Sequence, residues 1–233
     1  MGKLITIEGI SGSGKTYYFN KLKEKYKDDS RVMFNGEITD GNHENYGSKI
    51  FEILFATKSR FFDIGNPKAE ALLIAAKQAF DEDNFILPML EEDKIIISDR
   101  GFDTICIIEG IMFTRRYGGK LEDNVDMMYS TLSHFNRIPD LTIVLDGDFL
   151  RAIDKAEARD KLPYTKEERD ILLQSSLLYK ELVNKSERVI CIDRDKDEKE
   201  VFKNIVDVIE KERRFVYEKN NISNRQLGKN CSS

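Results

Sequence analysis

Gly9-Ile10-Ser11-Gly12-Ser13-Gly14-Lys15-Thr16 carries glycines, a lysine and a hydroxyl at the spacing G-x-x-x-x-G-K-[ST]. The chemistry served by this spacing is the capture of a phosphate chain. Glycines let the backbone curl until several N–H groups converge on one anion, Lys15 reaches the outer phosphates, and the Thr16 hydroxyl is placed to hold Mg²⁺. The motif needs a strand before it and a helix after it, and the apolar run Leu4-Ile5-Thr6-Ile7 and the following helical stretch supply both. Gly9, Ser11, Gly12, Ser13, Gly14, Lys15 and Thr16 are therefore the expected nucleotide-binding residues.

A second pair, Asp99-Arg100, closes an apolar run at Lys94–Ser98. In an open α/β sheet, ligands bind beyond the carboxyl ends of the strands, so Asp99 is expected to emerge beside Thr16 and share the metal. Arg100 is then positioned to neutralise the transferring phosphoryl group or the phosphate of an acceptor.

The elements that must hold these residues follow from the pattern of apolar runs. Leu4–Ile7, Arg31–Phe34, Lys94–Ser98, Leu141–Leu145 and Arg188–Ile192 read as short buried strands separated by helical segments. This alternation predicts a doubly wound α/β fold, a parallel five-stranded sheet with helices on both faces. Helices are expected over Tyr46–Thr57, Pro67–Glu91, Asp148–Asp160 and Thr165–Lys185. Asn66-Pro67 reads as a helix start, and Thr165 with Glu168 as a capping box. About residues 36–92 exceed what one crossover needs and read as an acceptor-binding subregion. Residues 151–165, around the charged break Arg159–Tyr164, read as a lid over the phosphates. The expectation is one domain over 1–212, then a polar, loose C-terminal tail over 213–233, at most docked by Phe215 and Tyr217.

Composition narrows the function classes. The chain has 233 residues, 40% hydrophobic side chains and a formal net charge of −5. One core of useful size is expected, and the acidic balance argues against nucleic acid as a partner. No stretch approaches the ~20 apolar residues of a membrane span. With no leader pattern ahead of the first strand, a cytoplasmic location is expected. Cys106, Cys191 and Cys231 lack metal-ligand spacing and read as buried thiols or tail residues. Tyr17-Tyr18 and Phe61-Phe62 read as packing pairs.

Taken together, these residues resemble thymidylate kinases over Ile5 to about Val208. The likeness is carried by Ile7-Glu8-Gly9 ahead of the loop, by Tyr46–Leu54, by Glu70-Ala71-Leu72-Leu73-Ile74-Ala75-Ala76, by Asp99-Arg100 with Asp103-Thr104, and by Ile138–Asp146. It implies ATP as donor, Mg²⁺ as cofactor, dTMP as acceptor, and nucleotide substrates as the partners. It also implies a lid near Arg159 and Lys161 and an adenine site near Asp193–Lys196. Family members are often dimers, which suggests a homodimer here. Catalytic roles are implied for Lys15, Asp99, Arg100 and Arg159, with Thr16 and Asp99 on the metal. Acceptor contacts are implied for Glu37, Ile74, Lys77, Gln78, Arg100, Thr104 and Glu109.

Departures fall on the acceptor side. Ile74 stands where the family has an aromatic ring, Gln78 and Phe51 where it often has arginine, Gly101 where it has Tyr, and Ile108-Glu109 where it has Tyr-Gln. Lys77 is a candidate for the missing charge. These changes keep two other functions open. One is a deoxynucleoside kinase with Glu37 as the base that activates a sugar hydroxyl. The other is a nucleotide-binding protein with a degraded acceptor site.

Overall fold

The computed structural model describes residues 1–36, 46–56, 60–61 and 65–230. Five parallel strands, β1 (Lys3–Glu8), β2 (Val32–Asn35), β3 (Ile95–Asp99), β4 (Leu141–Asp146) and β5 (Val189–Asp193), form one sheet in the order β2-β3-β1-β4-β5. All five expected strands are present, with bounds within a residue or so of the apolar runs. β1 sits at the centre, paired with β3 through Ile7↔Asp99 and with β4 through Glu8↔Val144.

The period of two along each strand divides the side chains between two faces. Ile5, Ile7, Ile95, Ile97, Leu141, Ile143 and Leu145 pack with α1 (Lys15–Tyr26) and α9 (Glu198–Asn230) in one core. The opposite face of β1 and β4 carries Thr6, Glu8 and Thr142, all at most 1% exposed. It is met by α5 (Phe102–Tyr117) and α8 (Lys166–Lys185), whose Asp103, Thr104 and Tyr179 satisfy those polar groups. Asp103, fully buried, takes a two-pronged ion pair from Arg188 at 2.6 and 2.9 Å and a hydrogen bond from Tyr129 at 2.8 Å.

The helical reading between β2 and β3 is met by α2 (Tyr46–Phe55) and α3 (Pro67–Asp81), α3 opening on the Asn66 cap with proline in its first turn. The expected Pro67–Glu91 helix does not run as one. It widens into a π-helical turn at Glu82–Ile86 before α4 (Leu87–Glu91). Pro88, in the first turn of α4, has no N–H to keep the α-helical ladder, which accounts for a break at this place. After α6 (Leu121–Leu132) and β4 come α7 (Phe149–Asp160) and α8, whose Thr165–Glu168 capping box is formed in both directions.

The C-terminal expectation needs correction. Rather than loosening at Arg213, the chain continues α9 through it. Arg213 is 9% exposed and pairs with Asp29 and, at 2.6 Å, with Glu210. Val216 is 3% exposed in the α1–α9 core, whereas Phe215 is exposed and meets Lys3. Val201, Ile205, Ile209, Arg213 and Val216 recur every three or four residues on one helical face. The stripe is continuous, but one of its members is an arginine whose charge is met by two carboxylates. Among the cysteines, Cys106 is buried and Cys191 is exposed on β5, contrary to the expectation for it; Cys231 lies outside the described residues.

Candidate nucleotide site

The loop between β1 and α1 has the conformation its glycines permit. Gly9, Gly12 and Gly14 all have positive φ, and Gly12 is the most constrained. At its φ of 79°, a Cβ would stand 1.9 Å from the Ala152 carbonyl oxygen. No side chain fits there, and close approach of α7 to the loop depends on that. Gly14 caps α1, so Lys15 and Thr16 begin the helix with its first N–H groups turned toward the loop. Lys15 is 5% exposed and its ammonium donates to Ile10 O at 2.8 Å and Ser13 Oγ at 3.4 Å. Its charge is thus held inside the curl of the loop.

Around the loop lies a cleft of ≈ 780 Å³, within the size range of ligand sites. Ser11 through Tyr18 line it on one side. Its other walls bring in Arg100 from the end of β3, Arg151, Lys155 and Arg159 from α7, and Arg194, Lys196, Asp197 and Glu198 from the β5–α9 connection. Among the described residues, seven basic side chains thus face two carboxylates, in a chain whose net charge is negative. Such a cleft attracts a polyanion.

Arg100 adopts a left-handed backbone with φ 68°, a sparsely populated conformation for a side-chain-bearing residue, at a cost of about 1–3 kcal/mol. Its N–H bonds Ile7 O at 3.0 Å and its carbonyl accepts from Ser98 Oγ at 2.8 Å, which pins the turn. The guanidinium reaches Gly9 O at 3.2 Å and Thr104 Oγ1 at 3.4 Å. Thr104 in turn donates to Glu8 Oε2, which also accepts from the Tyr179 hydroxyl at 3.1 Å. Glu8 is fully buried, and burial together with the nearby Asp103 charge raises its pKa to about 7, against the pull of Arg100 and Lys15.

The other expected residues divide clearly. Asp99 ends β3, 1% exposed and in register with Ile7, while Thr16 is exposed on the cleft. A hydroxyl and a carboxylate suit a hard cation such as Mg²⁺, which commonly completes its shell with water and substrate oxygens. Among the described residues, no group of three or more His, Cys, Asp or Glu side chains is arranged as a self-sufficient metal centre. Arg159, 61% exposed, pairs with Asp160 at 2.7 Å and reaches Ser11 Oγ at 3.3 Å, so the expected lid segment touches the loop.

The acceptor set is not gathered in this cleft. Ile74 is 2% exposed in a core with Leu54, Ala71, Phe102 and Ile105. Lys77 pairs with Asp81, one turn along its own helix, and Gln78 donates to Glu82 Oε1 at 3.1 Å. Glu109 is fully buried on α5, and Glu37 lies outside the described residues. Among the described members of that set, Arg100 alone lines the cleft, with Thr104 directly behind it.

Sequence reasoning missed three things. Lys155 contributes to the cleft, and its one-turn spacing from Arg151 and Arg159 on α7 was the available signal. Tyr17 and Tyr18 do pack edge to face, ring centroids 5.2 Å apart, but Tyr18 is buried whereas Tyr17 is also 48% exposed on the cleft. Glu8 anchors the network behind Arg100, and a carboxylate directly after the apolar run and ahead of the phosphate loop was its signal.

The thymidylate kinase family model matches residues 7–205. The chain is 30% identical over 210 residues to the probable thymidylate kinase of Methanococcoides burtonii, covering 89% of this chain and 96% of that protein. It is likewise 30% identical to the thymidylate kinase of Mycoplasma capricolum, covering 88% and 93%. Among solved structures, the thymidylate kinase of Ehrlichia chaffeensis superposes with a TM-score of 0.63 at 19% identity, covering 90% of this chain and 98% of that one, a likeness of fold.

Proposed function

This chain belongs to the thymidylate kinase family, and from that premise we propose that it moves the γ-phosphoryl group of ATP onto dTMP, yielding ADP and dTDP. The observation that carries the reading is the cleft in which Lys15, Thr16 and Arg100 converge among seven basic side chains. A phosphate monoester has its second pKa near ~6, so the acceptor is already a nucleophile at neutral pH and needs no base. Catalysis is then positioning and charge neutralisation. Lys15 and the loop N–H groups hold the donor phosphates, and Arg100 faces the transferring group or the acceptor phosphate. Arg159 closes from the lid, where its hold on Asp160 gives way to phosphate oxygens. Thr16 and Asp99 are the residues that would hold Mg²⁺, which supplies further neutralisation of phosphate charge when bound.

We assign residues 1–212 to one kinase domain, with an acceptor subregion near 36–92 and a lid near 151–165; the packed part of α9 beyond 212 belongs with it. On the family likeness we also place the protein in the cytoplasm as a homodimer. The deoxynucleoside kinase reading is not favoured, because the family match is to monophosphate kinases. A degraded site is not favoured either, because Lys15, Thr16 and Arg100 all face the cleft.

The test is a phosphoryl-transfer assay with ATP and Mg²⁺ over nucleosides and nucleoside monophosphates, with Lys15→Ala as the blank. dTDP formed from dTMP, and abolished in the blank, is the expected result. Turnover of nucleosides alone, or of no acceptor, overturns the proposal.

A further inference from the structure

The cleft holds two carboxylates, Asp197 and Glu198, an unusual feature in a site built for a polyanion. Asp197 is used by the fold, since its Oδ1 accepts from Lys199 N at 2.9 Å at the start of α9. Glu198 is not. Its Oε1 accepts the Tyr17 hydroxyl at 2.5 Å and the Lys21 ammonium at 2.7 Å, while its Oε2 has no hydrogen-bond partner among the described residues. Tyr17 and Lys21 lie one turn apart on α1, so the Glu198 side chain is tied down from α1 although it is 54% exposed. All this occurs on the cleft wall, which Tyr17 and Glu198 both line.

A carboxylate repels phosphate, so it must face the uncharged part of a bound nucleotide. Tyr17 directly follows Thr16 and is joined to Glu198, which places the carboxylate near the inner end of the phosphate chain. The first uncharged group there is the sugar. Carboxylates accept hydrogen bonds from ribose hydroxyls in other nucleotide sites, which is the chemistry needed here. Resting on the reading of the cleft as the donor site, we infer that Glu198 selects the donor sugar, its Oε2 accepting the 2′-hydroxyl of a ribonucleoside triphosphate, with Tyr17 and Lys21 as the positioning residues. The enzyme therefore distinguishes ATP from 2′-deoxyATP.

The experiment measures kcat/KM for ATP, 2′-deoxyATP and GTP at fixed dTMP in wild type, Glu198→Ala and Tyr17→Phe, with dissociation constants for the same donors by calorimetry. Wild type is expected to favour ATP over 2′-deoxyATP by roughly tenfold, the scale of one hydrogen bond to a charged group. The ratio falls toward one in Glu198→Ala and partway in Tyr17→Phe, whose folding is checked by an unchanged thermal midpoint. An unchanged ratio in both variants overturns the inference, as does a wild type indifferent to the 2′-hydroxyl. A change confined to ATP against GTP also overturns it, since the carboxylate would then read the base. If no acceptor turns over, the proposed function fails, and the ratio of dissociation constants still decides this point.

Discussion

Replacing Glu8 by Gln should alter stability in a manner that depends on pH, with the sign and size set by burial. The carboxyl is fully buried on the central strand and its pKa is raised from 4.5 to about 7. A raised carboxyl pKa means that the folded protein binds the proton more tightly than the unfolded chain does. Below pH 4.5 both states are protonated and the group contributes no difference. Between 4.5 and about 7 the unfolded chain ionises first, so folding loses stability as pH rises, and above 7 the full cost is present. At about 1.4 kcal/mol per pKa unit, that cost is roughly 3 kcal/mol. Gln cannot ionise, yet its carbonyl can still accept from Thr104 and Tyr179. Whatever fixed cost the new amide group brings, the gap between Glu8→Gln and wild type should move in the variant's favour by roughly 2 kcal/mol from pH 5 to pH 8.5. Urea unfolding of both proteins at a series of pH values measures this. Stability curves that stay parallel across the range would refute the argument that ionised Glu8 is strained in the fold.

Three further outcomes follow from the same structure. Arg159→Ala should lower kcat by roughly 10- to 100-fold, with unfolding stability within about 0.5 kcal/mol of wild type because the side chain is mostly exposed; comparison of steady-state rates and urea midpoints checks both halves. Gly12→Ala should abolish ATP binding in a calorimetric titration and lower the thermal midpoint, because its Cβ would collide with the Ala152 carbonyl. Deleting residues 213–233 should cost about 2–4 kcal/mol in urea unfolding, since it removes Val216 from the core and leaves Asp29 and Glu210 without Arg213; a truncated protein as stable as the full chain would show that the end of α9 does not support the core.

The strands, the phosphate loop and the Thr165 cap were legible in the sequence because each is a local pattern. A run of Ile and Val between turns, or a glycine spacing, needs no knowledge of what packs against it. The features that escaped depend on neighbours far away in the chain. Arg213 interrupts an apolar stripe and looks like its end, until Asp29, 184 residues away, is seen to receive it. Tyr17 reads as one of two identical neighbours, yet adjacent helical positions point in different directions, so Tyr18 is buried and Tyr17 meets Glu198. The basic cleft is likewise assembled from four separate parts of the chain, and no window of sequence contains it. On the acceptor side, Lys77 and Gln78 carry suitable functional groups, but both are bonded to carboxylates one helical turn on.

The contrast between an acidic molecule and its basic hollow governs how a nucleotide arrives. At long range an incoming polyanion meets a field of its own sign, from a chain carrying a net −5. Within about 10 Å, the Debye length at ~0.1 M salt, the cleft cations dominate and the force reverses. Ions in solution screen the distant repulsion before the nearby attraction, so encounter should be slowed less by physiological salt than for an enzyme that steers its ligand from afar.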